Sequence, residues 1–294
     1  MINELKKRIL LIDGMALLFR GYFATAYRQQ FMINNKGIPT NGVYQFLRYF
    51  LDGVNEFEPT HVVACWDMGS KTFRNEMYPN YKANRDSPPE ELIPQFDLVK
   101  QAVDMFNIPN IGIENFEADD IIGSLAKAYQ SEAEVIIQTG DLDMLQLVDT
   151  NINVAIMRKG LGNYEVFNEI NFLEKKGILP EQIIEFKGLI GDTADNYPGI
   201  KGIGEKTALK LLQAYNNMEN VLKSMDEHTK GLQKKLTIDI DNFNISKELA
   251  AIKCDLEIEL NLDHARWTFD EPDFKLKSAE LGLKPMNLNF LVNN

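Results

Sequence analysis

The sequence predicts an α/β protein with a mainly parallel central sheet flanked by helices. Three features carry this. Short apolar runs recur through the first half of the chain, amphipathic stretches with helical spacing separate them, and four of the runs end on acidic residues.

The first run, RILLI at 8–12, is continuously apolar, as a strand buried on both faces must be, and it empties into Asp13-Gly14. Helical spacing follows over 15–26 and 41–56. HVVACWD at 61–67 repeats the design, with an apolar strand and then Asp67. After a helical stretch over 90–107, IPNIGIENFEADD at 108–120 gives a short strand and a cluster of Glu117, Asp119 and Asp120, which opens a helix over 118–130. EVIIQTGDLD at 134–143 ends on Asp141 and Asp143, and NINVAIM at 151–157 supplies a further strand. From about residue 180 the pattern changes to helices joined by tight glycine turns. A further helix is expected near Ser246–Lys253, and the tail beyond it has no clear pattern. The expected division is an α/β core over 1–175 and a helical region over 176–294 whose C-terminal segment packs back on the core.

Composition is that of an ordinary soluble globular chain, with 45% hydrophobic and 25% charged residues. No apolar run approaches the roughly 18 residues of a membrane span, so no membrane partner is expected. The N-terminus lacks the pattern of a secretion signal. Cys65 and Cys254 lie in apolar contexts and suggest no disulfide framework. The expected location is the cytoplasm.

The recurring position of the acids is the informative feature. One or two carboxylates in a first helical turn are ordinary capping. Here Asp13, Asp67, Glu117 with Asp119 and Asp120, and Asp141 with Asp143 all follow strands. In open α/β sheets that register brings side chains to one edge, where sites form. The three histidines, His61, His228 and His264, are scattered, and His61 reads as structural. Oxygen donors without a His or Cys cluster suit Mg²⁺, with Mn²⁺ as a substitute, rather than Zn²⁺. Seven converging carboxylates would repel one another unless cations joined them. Two ions about 4 Å apart would support in-line displacement at a phosphate.

Two other segments point to a polyanionic substrate. In GDTADNYPGIKGIGEKTA (191–208), Asp192 and Asp195 precede a glycine hairpin, with Lys201, Lys206 and Lys210 beside a helix start that can bind phosphate. In KTFRNEMYPNYKANRDSPPEEL (71–92), Lys71, Arg74, Lys82 and Arg85 alternate with Phe73, Tyr78 and Tyr81, a mixture suited to gripping a single strand.

With LLIDG, YPNYKANR, FEADD, TGDLDMLQLV and GDTADNYPGIKGIGEKTA in view, the chain resembles the 5′ nuclease domain of bacterial DNA polymerase I, in the flap endonuclease family. The likeness runs to about Val221 and continues more loosely through ISKELAAIKCDLEIEL. No polymerase module follows, so a free-standing form is expected.

The resemblance implies nine metal-binding acids: Asp13, Asp67, Glu117, Asp119, Asp120, Asp141, Asp143, Asp192 and Asp195. Asp13, Asp67, Glu117 and Asp119 would chiefly hold one ion. Asp120, Asp141, Asp143 and Asp195 would hold the other, with Asp192 behind them. It implies phosphate contacts and catalytic assistance from Lys82, Arg85 and Arg20, and a helical arch over about 70–95. It also implies a helix–hairpin–helix turn at GIKGIG that binds duplex DNA and can hold a potassium ion on its carbonyls. The DNA-binding set is then Lys71, Arg74, Tyr81, Lys82, Arg85, Gly199, Lys201, Gly202, Gly204 and Lys206.

The net charge of −12 fits this expectation once the site is set apart. Of 43 acids, removing these nine leaves 34 against 31 bases, a balance of −3 that permits basic patches. The expected activity is a monomeric, metal-dependent 5′-3′ exonuclease and flap endonuclease in replication and repair, acting near single-strand/duplex junctions with a 5′ flap or 5′ end. A non-catalytic junction binder and a metal-dependent ribonuclease are the rival expectations.

Overall fold

The computed structural model describes residues 7–27 and 31–288. A six-stranded sheet is built from β1 (Arg8–Asp13), β2 (His61–Trp66), β3 (Asn110–Gly112), β4 (Glu134–Thr139), β5 (Ile152–Met157) and β6 (Tyr164–Phe167). The spatial order is β3-β2-β1-β4-β5-β6, parallel throughout except for the antiparallel β5–β6 pair. β1 is central, with Ile9 in register with His61 on one side and Val135 on the other.

Alternation along β1 divides the core. Ile9 and Leu11 face one apolar cluster, Leu10 and Ile12 the other, because successive side chains leave opposite faces of a strand. The Leu10 face is covered by α1 (Gly14–Ala26), α2 (Asn41–Phe57) and α4 (Ile93–Asp104), which follows the five-residue α3 (Phe73–Met77). The Ile9 face is covered by α5 (Ala118–Tyr129), where Ile121, Ile122 and Leu125 are buried. The same cluster continues into the helical region. α6 (Glu169–Lys176) closes the first part of the chain, the helical region comprises α7 (Gln182–Ile190), α8 (Glu205–Tyr215), α9 (Met218–Lys223), α10 (Lys230–Ile238) and α11 (Ile240–Ala250), and α12 (Glu271–Glu280) follows a long strap.

The strap, residues 251–260, runs along α5. Its Leu256 N–H donates to Ser124 Oγ, and the Tyr129 hydroxyl donates to the Leu260 carbonyl. It lies so close that a Cβ on Gly123 would sit 2.7 Å from Ile252. Beyond it, the Trp267 N–H donates to the Thr60 carbonyl, and Trp267 packs on Phe50 and Phe106.

Several expectations need correction. The helix expected near 246–253 ends at Ala250, because the carbonyls of Leu249 and Ala251 are taken by Arg74 and the chain leaves extended. The helix expected over 90–107 is confined to Ile93–Asp104. β6 was not anticipated; four residues are too few to show a period. The segment expected to arch over 70–95 holds only α3 before α4. Its turns at 78–85 lie down on residues 192–196, with the Lys82 N–H on the Asp195 carbonyl, Asn84 Nδ2 on that of Thr193 and Asn196 Nδ2 on that of Asn80. Among the described residues, no helix is long and apolar enough to cross a membrane. His61 is structural, its ring 2.8 Å from Thr60 Oγ1.

Candidate active site

The sheet brings the strand-end acids to one edge. Asp13 ends β1 and caps α1, with Oδ1 accepting from the Ala16 N–H at 2.9 Å and Oδ2 from Thr139 Oγ1 at 2.6 Å. Asp67, just beyond β2, accepts from the Ala118 N–H at 2.7 Å and so ties its strand to the start of α5. Asp141 accepts from the Asp143 N–H at 2.8 Å, which fixes the turn after β4.

Asp192 and Asp195 come from the turn after α7. Gly191 closes that helix at a φ of 71°, and a Cβ there would meet the Tyr197 carbonyl at 2.6 Å, so the tight return requires glycine. The returning Asp192 accepts from the Ala194 and Asp195 N–H groups. An open cleft of about 590 Å³ lies between these pieces, lined among others by Arg20, Arg85, Asp141, Asp143, Lys187 and Asp195.

Three side-chain cations balance the acids. Lys82 donates to Glu117 at 2.8 Å and Arg85 to Asp195 at 2.5 Å. Lys82 sits at a φ of 55°, a left-handed conformation uncommon for a side-chain-bearing residue, which the surrounding hydrogen bonds hold in place. The third cation, Lys187, was missed from sequence. Its ammonium lies 2.5 Å from Asp143 and 2.6 Å from Asp192. A lysine one turn before a helix-ending glycine, followed at once by aspartate, was the available signal.

Charge remains uncompensated all the same. No hydrogen bond or ion pair reaches the Asp119 side chain among the described residues, and burial, then Asp141, Asp13 and Glu117, raise it well above the carboxylate range. Burial lifts Asp13 to about 7, despite its hydrogen bonds from Thr139 and Ala16. Burial and Asp141 lift Asp143 to about 7, against the pull of Lys187. Asp67 is also raised, first by burial. For Asp192 burial works upward, but Lys187 outweighs it and the carboxyl falls below its usual value.

This donor set, hard oxygens with unpaid negative charge, fits divalent cations. Among the described residues no three acids already form a cage, since Lys82, Arg85 and Lys187 stand between them.

Four sequence assignments are corrected. Asp120 does not face the site: it is fully buried, and both its oxygens are gripped by Arg74 at 2.7 Å. Arg74, assigned to DNA, is 2% exposed and cannot reach a ligand. Tyr81 is buried, with its hydroxyl 3.2 Å from Glu117 and 3.3 Å from Asp195, so it orients carboxylates and offers no face for stacking. The Gly199 N–H is spent on Ser246 Oγ at 3.0 Å and is buried, which removes it from phosphate binding.

The remaining residues are placed as follows. Lys71, Lys201, Gly202, Gly204 and Lys206 are exposed. Gly204 caps α8 without a side chain, which leaves first-turn N–H groups for an external acceptor. Arg20 lines the cleft, donates to the Arg158 carbonyl and lies 5.6 Å over the Tyr49 ring. The Gly202 carbonyl, a candidate potassium ligand, already accepts from Lys235 Nζ at 2.8 Å.

Comparison with known proteins agrees with this architecture. Residues 8–177 match the 5′-3′ exonuclease N-terminal resolvase-like domain, and residues 178–274 the 5′-3′ exonuclease C-terminal SAM fold. The chain is 49% identical to a 5′-3′ exonuclease of Bacillus subtilis, covering 97% of this chain and 99% of that protein. It is 43% identical to DNA polymerase I of Bacillus caldotenax over 88% of this chain, and spans 29% of that longer protein.

Among solved structures, the fold is similar to a bacteriophage T5 flap endonuclease in complex with DNA and metal ions. The TM-score is 0.68 at 20% identity, covering 85% of this chain and 90% of that one. The catalytic core of Rad2 in complex with DNA substrate matches at a TM-score of 0.57 and 17% identity, over 93% and 85% of the two chains. With both family models in sequence along it and a half-identical relative matched end to end, the chain belongs to the 5′-3′ exonuclease family.

Proposed function

We propose that this nuclease hydrolyses DNA phosphodiesters near single-strand/duplex junctions, as a monomer acting on a 5′ flap or 5′ end. The observation that carries the reading is the unpaired, half-buried Asp119 among strand-end carboxylates that only side-chain cations now neutralise. Two divalent cations, Mg²⁺ or in its place Mn²⁺, would supply an activated water and charge for the leaving oxygen.

Asp13, Asp67, Glu117 and Asp119 would hold one ion. Asp141, Asp143 and Asp195 would hold the other, with Asp192 behind them. Thr139 and the Ala16 N–H orient Asp13, the Ala118 N–H orients Asp67, and Tyr81 orients Glu117 and Asp195. Lys82 and Arg85 exchange these carboxylates for substrate phosphate, where their charge favours the developing negative charge of displacement. Arg20 and Lys71 extend the phosphate track. Lys201, Gly202, Gly204 and Lys206 hold the duplex through phosphate contacts that carry no sequence preference. Potassium at the hairpin has to compete with the Lys235 ammonium on the Gly202 carbonyl.

The deciding experiment incubates the protein with 5′-labelled flap DNA, with Mg²⁺ and separately with EDTA. A Mg²⁺-dependent product ending within a nucleotide or so of the junction is expected. Binding without cleavage in both Mg²⁺ and Mn²⁺ would overturn the reading.

A further inference from the structure

Arg74 and Asp120 were both expected at the surface of the site, and both are sealed inside the protein. We propose that they form a positioning device that sets the metal-binding end of α5 against the end of α11. The inference rests on the metal reading above.

The Arg74 guanidinium uses its full fork. Nη1 and Nη2 each donate to one oxygen of Asp120 at 2.7 Å, Nε donates to the Leu249 carbonyl at 3.0 Å, and Nη2 also donates to the Ala251 carbonyl at 2.8 Å. Nη1 lies a further 3.6 Å from Glu117. Asp120 in turn accepts from the Glu117 N–H at 3.1 Å and from the Lys253 N–H at 2.9 Å. One buried pair therefore fixes three chain segments: the α3 root of the basic loop, the first turn of α5, and the place where α11 becomes the strap.

Glu117 and Asp119 flank the anchored turn, so their direction follows from where Asp120 is held. α11 is itself registered on the hairpin, through Ser246 Oγ and the Gly199 N–H, and on α7 through Lys247 and Glu185 at 2.5 Å. The acids and the hairpin thus share one rigid reference. Arg74 makes four donations here, two to one carboxylate and two to carbonyls, one more than the three N–H groups of a lysine can supply. Groups that orient metal ligands typically change metal affinity 10–100-fold when removed.

The test measures Mn²⁺ affinity of the DNA-free protein by calorimetry, and flap-DNA affinity in Ca²⁺, for wild type, Arg74→Lys and the apolar pair Arg74→Met/Asp120→Leu. The paired substitution avoids stranding one buried charge, which is the main cost of removing either partner alone. Both variants are expected to bind Mn²⁺ about tenfold more weakly, with DNA affinity within twofold of wild type.

If Asp120 were a ligand, Arg74→Lys would release it from its competitor and bind Mn²⁺ more tightly, which would overturn the proposal. Unchanged Mn²⁺ affinity with weakened DNA binding would overturn it too, by making Arg74 a substrate contact. Wild-type protein that binds no Mn²⁺ would instead overturn the metal reading, and this inference with it.

Discussion

Lys187 of α7 lies 2.5 Å from Asp143, which stands beyond the carboxyl end of β4. A helix of the second half thereby supplies the counter-charge for an acid of the first. Lys187→Met leaves Asp143 and Asp192 without that charge. The metal-free protein should lose about 2 kcal/mol, because removing one partner of a largely buried pair strands the other. Saturating Mn²⁺ should recover most of the loss, and thermal unfolding with and without Mn²⁺ measures both. An equal drop in the two conditions would mean that Lys187 is a packing residue.

The raised carboxyls give a pH dependence with a definite sign. Asp13 and Asp143 titrate near 7 in the fold, against an ordinary value of 3.8. The folded protein therefore binds more protons than the unfolded chain between those limits. Metal-free stability should be fully present below about pH 4 for these groups and should be lost as pH rises through 7. The slope is on the order of 1 kcal/mol per pH unit for each group. Divalent cations should reverse the trend, since they bind the deprotonated form. Denaturant melts at pH 5.5 and 8, with EDTA and with Mg²⁺, check it.

Asp143→Asn separates chemistry from binding. Turnover on flap DNA should fall at least a hundredfold, while affinity in Ca²⁺ stays within about threefold, because the proposed duplex contacts lie on the hairpin and not on Asp143. Equal losses in single-turnover cleavage and in DNA titration would remove Asp143 from the reaction.

Lys235 makes the proposed potassium at the hairpin testable. Replacing potassium by tetramethylammonium at constant ionic strength should leave wild-type duplex affinity unchanged. Lys235→Met frees the Gly202 carbonyl and should make binding several-fold tighter in potassium than in tetramethylammonium. Fluorescence anisotropy in the two salts reads this, and equal affinities in the variant would show that the carbonyl needs no cation.

The sheet and the strand-end placing of its acids were legible because burial on two faces writes a strand as an unbroken apolar run, and its end marks the next residue as edge-facing. RILLI followed by Asp13 and HVVACW followed by Asp67 are read correctly for that reason. Asp120 shows the limit of the same logic. It follows the third strand as closely as Asp119 does, but one helical position turns it inward, and nothing local announces Arg74 as its partner. Arg74 was misread because its burial depends on Leu249 and Ala251, carbonyls 175 and 177 residues away. Tyr81 fails likewise: a basic and aromatic stretch looks the same whether its rings face solvent or carboxylates.

The strap carries a consequence for biosynthesis. Every carboxylate assigned to the metals leaves the ribosome before Leu249, Ala251 and Lys253 do, yet those backbone groups complete the cage around Arg74 and Asp120. Until they arrive, a buried guanidinium has acceptors missing, and the first turn of α5 lacks its final anchor. A nascent chain therefore carries every acid assigned to the metals before it has their geometry, which a segment more than fifty residues downstream of the last of them completes.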